Sequence, residues 1–261
     1  MNLSEKNYVV VLTVLAFALF MASCGSDTTG PSESGLWFGW AVGAPVDSYA
    51  FIIATGDGGI NWNRQGLSSG IPNVELECVR AQDSLTAWAV GDVANGYGTI
   101  LKTVDGGTTW IRQGSSSNIP AKGLNGISLL DGNTAFVVGI DNTILYTSNG
   151  GGTWVSMSDP AYDGFDYDCV YAVDHSVIWV VGGTEHYGII LRSADGGNTW
   201  ESQGDSLLLD EFPLICVSAI DVSNAWIVGH GYTVASTSNG GSNWELRVPD
   251  GLQRTTQSPD A

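Results

Sequence analysis

Positive charge is scarce in this chain. Lysine and arginine total 9 against 27 aspartates and glutamates, for a net charge of −18. Nucleic-acid binding rests on neutralising phosphates with basic side chains, so this balance argues against it. It argues equally against adhesion to anionic lipid. Histidine occurs three times, at His175, His186 and His230, in no metal-ligand spacing, so neither a metal nor a cofactor is expected. Long apolar runs are almost absent. The one present, Tyr8 to Phe20, is shorter than the roughly 20 residues that span a bilayer.

That run fits the core of a signal peptide behind the basic Lys6. Directly after it, Met21-Ala22-Ser23-Cys24 resembles the lipobox of bacterial lipoproteins. The resemblance implies cleavage before Cys24 and lipidation of that cysteine; ordinary secretion is the alternative. Residues 1–23 are therefore expected to be a lipoprotein signal peptide. Residues 24–35, rich in Gly, Ser and Thr, have the composition of a flexible tether. Residue 25 is glycine and not aspartate, which places the protein at the outer membrane or cell surface. Residues 36–261 are long enough for one domain with a substantial core.

What is abundant is glycine, 35 residues, together with 10 tryptophans. With β-branched residues between them, this reads as many short strands joined by tight turns. Five octapeptides recur: TGDGGINW from Thr55, TVDGGTTW from Thr103, TSNGGGTW from Thr147, SADGGNTW from Ser193 and TSNGGSNW from Thr237. A second element, WAVG or a close variant, begins at Trp40, Trp88, Phe136, Trp179 and Trp226. A third ends in Asp83, Asp131, Asp174 and Asp221, each five residues before that aromatic. A period near 45 residues holding four strands' worth of sequence is that of a propeller blade. The fold expected is all-β: a β-propeller of about five four-stranded blades, with the octapeptide turning strand C into strand D. In the second unit the strands are expected near 74–82, 86–91, 98–103 and 108–113.

The octapeptides match the Asp-box, or bacterial neuraminidase repeat, and AWAVG, GTILKT and DGGTTW in succession resemble the photosystem II stability and assembly factor family. The resemblance covers residues 36 to 248. Sialidases, xyloglucanases and sortilin-type receptors share the box, so it specifies fold and not function. The photosystem family is known for seven blades and an arginine-rich surface; here five units and six arginines are counted. The first unit has no clear strand A before Leu36, and the tail after Trp244 is a candidate to supply it and latch the ring.

Most reactive-looking residues have a constructional reading. Asp57, Asp105, Asn149, Asp195 and Asn239 sit inside the boxes, where a short polar side chain bonds the backbone of its own turn. Nine of the ten tryptophans recur in every unit, which suits packing between blades better than stacking on one ligand. Cys78, Cys169 and Cys216 lie ten residues before the strand-B aromatic, and Gly126 holds that place in the third unit. Buried thiols are expected there; Cys169 with Cys216, from neighbouring blades, is the one pair near enough to test for a disulfide. The acidic stretch Ser158–Asp168 offers oxygens for calcium, but in no known loop spacing, and reads better as a solvated loop. No paired carboxylates and no arginine triad stand out, so catalytic residues are not assigned.

Antiparallel strands put the A–B and C–D turns at one end of each blade and the B–C and D–A loops at the other. The uniform turns share the first end, so binding is expected among the variable loops of the second. Candidates there are Tyr49, Tyr97 and Tyr187, each six residues before a box, with Asp163, Asp166, Glu185, His186 and His230. The expected function is a non-catalytic, lipid-anchored scaffold of the cell envelope, monomeric, binding a protein or a glycan. A glycan-binding or sialidase-like glycoside-hydrolase propeller is the alternative.

Overall fold

The computed structural model describes residues 38–46, 48–66, 71–204, 209 and 212–247. Cys24, the signal segment, the tether and the C-terminal tail beyond Arg247 lie outside the described residues. The chain divides into two compact units at Gln113/Gly114.

The first unit carries two antiparallel sheets. One holds β1 (Gly39–Val46), β2 (Tyr49–Thr55) and β3 (Asn63–Arg64). The other holds β4 (Leu76–Ala81), β5 (Ala87–Ala94), β6 (Tyr97–Thr103) and β7 (Ile111–Arg112). The second unit carries three four-stranded sheets. These are β8 (Leu124–Leu129), β9 (Ala135–Gly139), β10 (Thr143–Thr147) and β11 (Val155–Ser156); β12 (Asp166–Ala172), β13 (Ile178–Gly183), β14 (Gly188–Ser193) and β15 (Glu201–Gln203); and β16 (Leu214–Ala219), β17 (Ala225–Gly229), β18 (Val234–Thr237) and β19 (Glu245–Leu246). Every sheet is a meander in chain order, the blade architecture the repeat predicts. Among the described residues the first sheet has three strands, β1 to β3, and no strand stands inside β1.

The expected boundaries hold best for the inner strands. The outermost strands are only two or three residues long, so the box tryptophan precedes its strand and does not start it: β7 begins at Ile111, after Trp110. Strand A also carries a register shift in each four-stranded sheet, between Leu76 and Cys78, Leu124 and Gly126, Tyr167 and Cys169, and Leu214 and Cys216. The glycine that closes each WAVG-type motif explains how the bulge fits. A Cβ on Gly182 would stand 2.1 Å from the Asp166 carbonyl oxygen, and one on Gly91 equally close to that of Glu75. No side chain can occupy that space, so strand A presses against strand B only over glycine.

The boxes are built alike. In the second, Thr103 Oγ1 donates to Asp105 Oδ1 at 2.9 Å and accepts the Gly107 N–H at 2.9 Å. Asp105 in turn accepts the N–H of Thr109 at 2.8 Å and its hydroxyl at 2.6 Å. Gly106 and Gly107 stand at φ of 70° and 86°, a conformation open to glycine at no steric cost. Ser193, Asp195, Gly197 and Thr199 repeat this set. In the four-stranded sheets the box also clasps the A–B turn of its own sheet: the N–H of Gly106 donates to the Leu85 carbonyl, and that of Gly196 to the Ser176 carbonyl.

Apolar faces meet between consecutive sheets. Phe136 and Val138 of β9 lie in one cluster with Tyr167, Val170 and Val180 of the following sheet and with Trp200, that sheet's box tryptophan. Trp200 fixes the contact by donating its indole N–H to the Met157 carbonyl at 2.8 Å. One sheet further on, Trp244 meets Trp179 edge to face, ring centroids 5.6 Å apart. In the first unit Trp110 joins Trp40, Val42 and Ile52 in the same way. Trp110, Trp200 and Trp244 are thus inter-sheet staples.

Candidate functional site

Nearly all the carboxylates of the turn end are used by their own turns. Asp83, Asp131, Asp174 and Asp221 each accept two backbone N–H groups from residues two and three further on, at 2.7 to 2.8 Å. The box residues Asp57, Asn149 and Asn239 accept the N–H four residues ahead, as Asp105 and Asp195 do. Hydrogen bonds favour the ionised form: the backbone N–H of Asn61 chiefly holds Asp57 below the usual carboxylate range, the hydroxyl of Thr109 does so for Asp105, and the backbone N–H of Thr199 for Asp195.

The loop end differs from sheet to sheet, and its most built-up part lies in the second unit. The β9–β10 hairpin turns on Asp141 and Asn142, both at positive φ (52° and 56°), a geometry that short Asp and Asn side chains tolerate. Asn142 is buried. Its amide donates to the Asp159 carbonyl at 2.8 Å and to Asp163 Oδ1 at 2.7 Å, and its Oδ1 accepts the Tyr167 hydroxyl at 3.0 Å. Its backbone N–H donates to the Phe165 carbonyl, and that of Asp141 to Asp166 Oδ1, both at 2.7 Å. Lys122 closes the other side, donating to the Asp141 carbonyl at 2.7 Å and pairing with its carboxylate at 2.8 Å.

The acidic stretch 158–168 is exposed at Asp163 and Asp166, as expected of a solvated loop, but these bonds also order it. Pro160–Tyr162 form a 3₁₀ turn capped by Asp159, which accepts the Ala161 N–H at 3.0 Å. Asp163 and Asp166 face the β9–β10 hairpin, as above. Tyr167 is fully buried, and burial pushes its phenol far above the ordinary value. Asp168, half-buried on β12, is raised to about 6, first by burial and then by the neighbouring Asp166 charge. Beside this knot opens a cavity of about 530 Å³, lined by Ser117, Asn118, Lys122, Asp141, Ser156 and Asp163 among others.

Of the residues singled out in the sequence, Asp163 and Asp166 meet in this region. Tyr187, 55% exposed, projects from the β13–β14 hairpin with the exposed Glu185 and His186, around a turn in which the Thr184 hydroxyl accepts the N–H groups of His186 and Tyr187. His230 is exposed in the β17–β18 hairpin. The three tyrosines hold the same position in their hairpins but differ in surroundings. Tyr97 lies beneath the Arg112 guanidinium, 3.7 Å from its ring, and the same guanidinium bonds the Tyr97 and Ala94 carbonyls at 2.9 and 2.6 Å. Tyr97 is therefore part of a brace, and Tyr49 is half-buried. The sequence reading missed Asn142, Asp141 and Lys122. The signal that marks Asp141 and Asn142 is the Asp-Asn pair itself, two residues that tolerate positive φ in the three-residue loop between Gly139 and Thr143; nothing in the sequence marks Lys122.

Among the described residues no three His, Cys, Asp or Glu side chains converge in a way that could hold a metal ion, and no helix is long and apolar enough to cross a membrane. Cys169 and Cys216 do come together, with sulfurs 3.6 Å apart.

Five meandering sheets, each fastened by the same Thr/Ser–Asp/Asn–Gly-Gly turn and, within each unit, stapled by tryptophan to the next, define an Asp-box β-propeller. Residues 115–256, more than half of the sequence, match the profile of the photosynthesis system II assembly factor YCF48, and the chain belongs to that family. The chloroplast photosystem II stability/assembly factor HCF136 of Oryza sativa subsp. japonica is 29% identical over 124 residues, 45% of this chain and 28% of that protein. The chain thus corresponds to little more than a quarter of that relative's length. YCF48 from Cyanidioschyzon merolae superposes with a TM-score of 0.56 at 17% identity, over 81% of this chain and 72% of that one. The GH74 xyloglucanase of Xanthomonas campestris gives 0.58 at 13% identity, over 78% of this chain and 35% of the enzyme. At such identities the two likenesses show the fold. Similarity to the assembly factors supports an assembly or binding propeller.

Proposed function

We propose that this protein is a non-catalytic scaffold that binds a protein partner through its loop end, anchored to the cell envelope by a lipid on Cys24. The observation that carries the reading is the division of labour between the two ends. The turn end commits its polar side chains to five alike turns, whereas the loop end of the second unit holds a cavity of mixed polar and apolar lining beside a buried hydrogen-bond knot. Variable loops on a fixed frame are where recognition resides. The signal-like run and the cysteine that follows it support the anchor and an outer-membrane or surface location. Family membership supports the assembly role. The test is affinity capture from envelope extract with the wild-type chain and with Ser117→Trp, which fills the cavity. The reading expects a partner retained by the first and lost by the second. Identical capture by both chains, or none by either, contradicts it.

A second reading, glycan binding or hydrolysis, draws on the xyloglucanase-like fold and on two carboxylates, Asp141 and Asp163, at the same cavity. Both are already engaged, Asp141 by Lys122 and Asp163 by Asn142, which favours recognition over proton transfer. Turnover of aryl glycosides that is abolished by Asp163→Asn or Glu185→Gln would establish this reading over the first.

A further inference from the structure

Cys169 and Cys216 occupy the same place in consecutive sheets of the second unit, the first residue past the bulge of β12 and of β16. Their Sγ atoms stand 3.6 Å apart. Both thiols point to one acceptor, the Val217 carbonyl, at 3.7 Å from Cys169 and 3.8 Å from Cys216. Innermost strands run close together at this level. At the equivalent place on β8, a Cβ added to Gly126 would lie 2.9 Å from the Asp168 carbonyl oxygen and 3.2 Å from Cys169 Cα. A disulfide requires an S–S separation of about 2.05 Å, so rotation of the two side chains has to close about 1.6 Å.

We propose that Cys169 and Cys216 are an oxidisable dithiol, whose disulfide bolts the fourth sheet to the fifth and is formed by exchange with a disulfide-bearing oxidant. The two thiols differ in access, and this sets the order of events. Cys216 is half-buried, whereas Cys169 is only 7% exposed. The Cys216 thiolate attacks one sulfur of the oxidant; the oxidant's S–S bond breaks and its first half leaves as a thiol, carrying the proton Cys216 gave up. Cys169, deprotonated in turn, attacks the Cys216 sulfur of the mixed disulfide. That bond breaks, and the second half of the oxidant leaves as a thiol with the second proton. The protein dithiol loses two electrons and two protons, and the oxidant gains both pairs. The link spans 47 positions of chain, so it removes much of the unfolded state's freedom.

Oxidation of the full chain with oxidised glutathione, followed by alkylation under denaturing conditions and peptide mass mapping, tests the proposal. The expected result is a cross-linked pair of peptides carrying Cys169 and Cys216, with Cys78, on β4, still alkylated. Melting should rise by about 10 °C on oxidation and fall back with dithiothreitol. Cys78→Ser should keep that shift and Cys216→Ser abolish it, while Cys169→Ser should arrest as a glutathione adduct on Cys216. Alkylation of both Cys169 and Cys216 after oxidation, or an adduct on Cys216 that persists in the wild type, overturns the proposal. The mapping needs no variant and no partner, so its outcome is separate from that of the capture experiment.

Discussion

The two ends of each sheet are made of the same residue types and do opposite things with them. At the turn end an aspartate or asparagine closes the same ring of bonds five times over, and Asp195, favoured in its ionised form, spends three acceptor positions on its own turn. At the loop end Asp-Asn in one hairpin, Thr-Glu-His-Tyr in another and His-Gly-Tyr in a third build unlike surfaces. Asp195 and Asp168 show the contrast within one sheet. Backbone donors pull the first carboxyl down, and burial without such donors pushes the second up to about 6. Repetition marks construction, and departure from it marks the places free to recognise something.

The comparison breaks most visibly through the staples that serve both ends. Trp200→Ala empties an inter-sheet contact and loses the bond to Met157, and should destabilise by about 3–5 kcal/mol, read as a fall in melting temperature of roughly 10 °C. Asn142→Ala comes next. It leaves the buried Tyr167 hydroxyl without an acceptor and places alanine at positive φ, for about 2–3 kcal/mol by denaturant unfolding, together with loss of partner capture. Asp195→Ala should lower melting by a few degrees, whereas Asp195→Asn, which copies Asn149 and Asn239, should cost less. The Asp195 carboxyl is depressed, so its contribution is present at neutral pH and fades as pH falls through the carboxylate range, and the Asn variant's deficit should shrink on acidification.

Asp168→Asn should move the other way. A carboxyl raised from 3.8 to about 6 weakens the fold once it must ionise, so the variant should melt about 3 °C higher at pH 8, for about 1 kcal/mol after allowing for solvent screening. The gain should vanish near pH 4, where the wild-type carboxyl is neutral. Smallest of all, Tyr187→Ala should leave melting unchanged, because the side chain is exposed, and should weaken capture alone.

The periodic part of this molecule was readable before its structure. Three registers in step located the sheets, the turns and the staples, because the same local chemistry recurs in each unit and one correct reading serves for all. What escaped depends on contacts made once. Tyr97 and Tyr187 share a register, yet the residue two past the box tryptophan is Arg112 in the second unit and Ser202 in the fourth; only the arginine can reach back and cover the ring. Asp163 and Asp166 are exposed as the sequence suggests, but their partners, Asn142 and the Asp141 N–H, come from another hairpin 21 and 25 positions away and were not readable. The glycine of WAVG was visible, but its reason was not. The bulge it accommodates belongs to strand A, some fifteen residues upstream.

Site-specific photo-crosslinking in intact cells tests the division between the ends most directly. A photoreactive phenylalanine in place of Ser117 or Tyr187 probes the loop end, and one in place of the exposed Asn198 probes a box. The account predicts a protein adduct from the two loop-end positions and none from Asn198. Adducts from Asn198 with none from Ser117 or Tyr187 would contradict it.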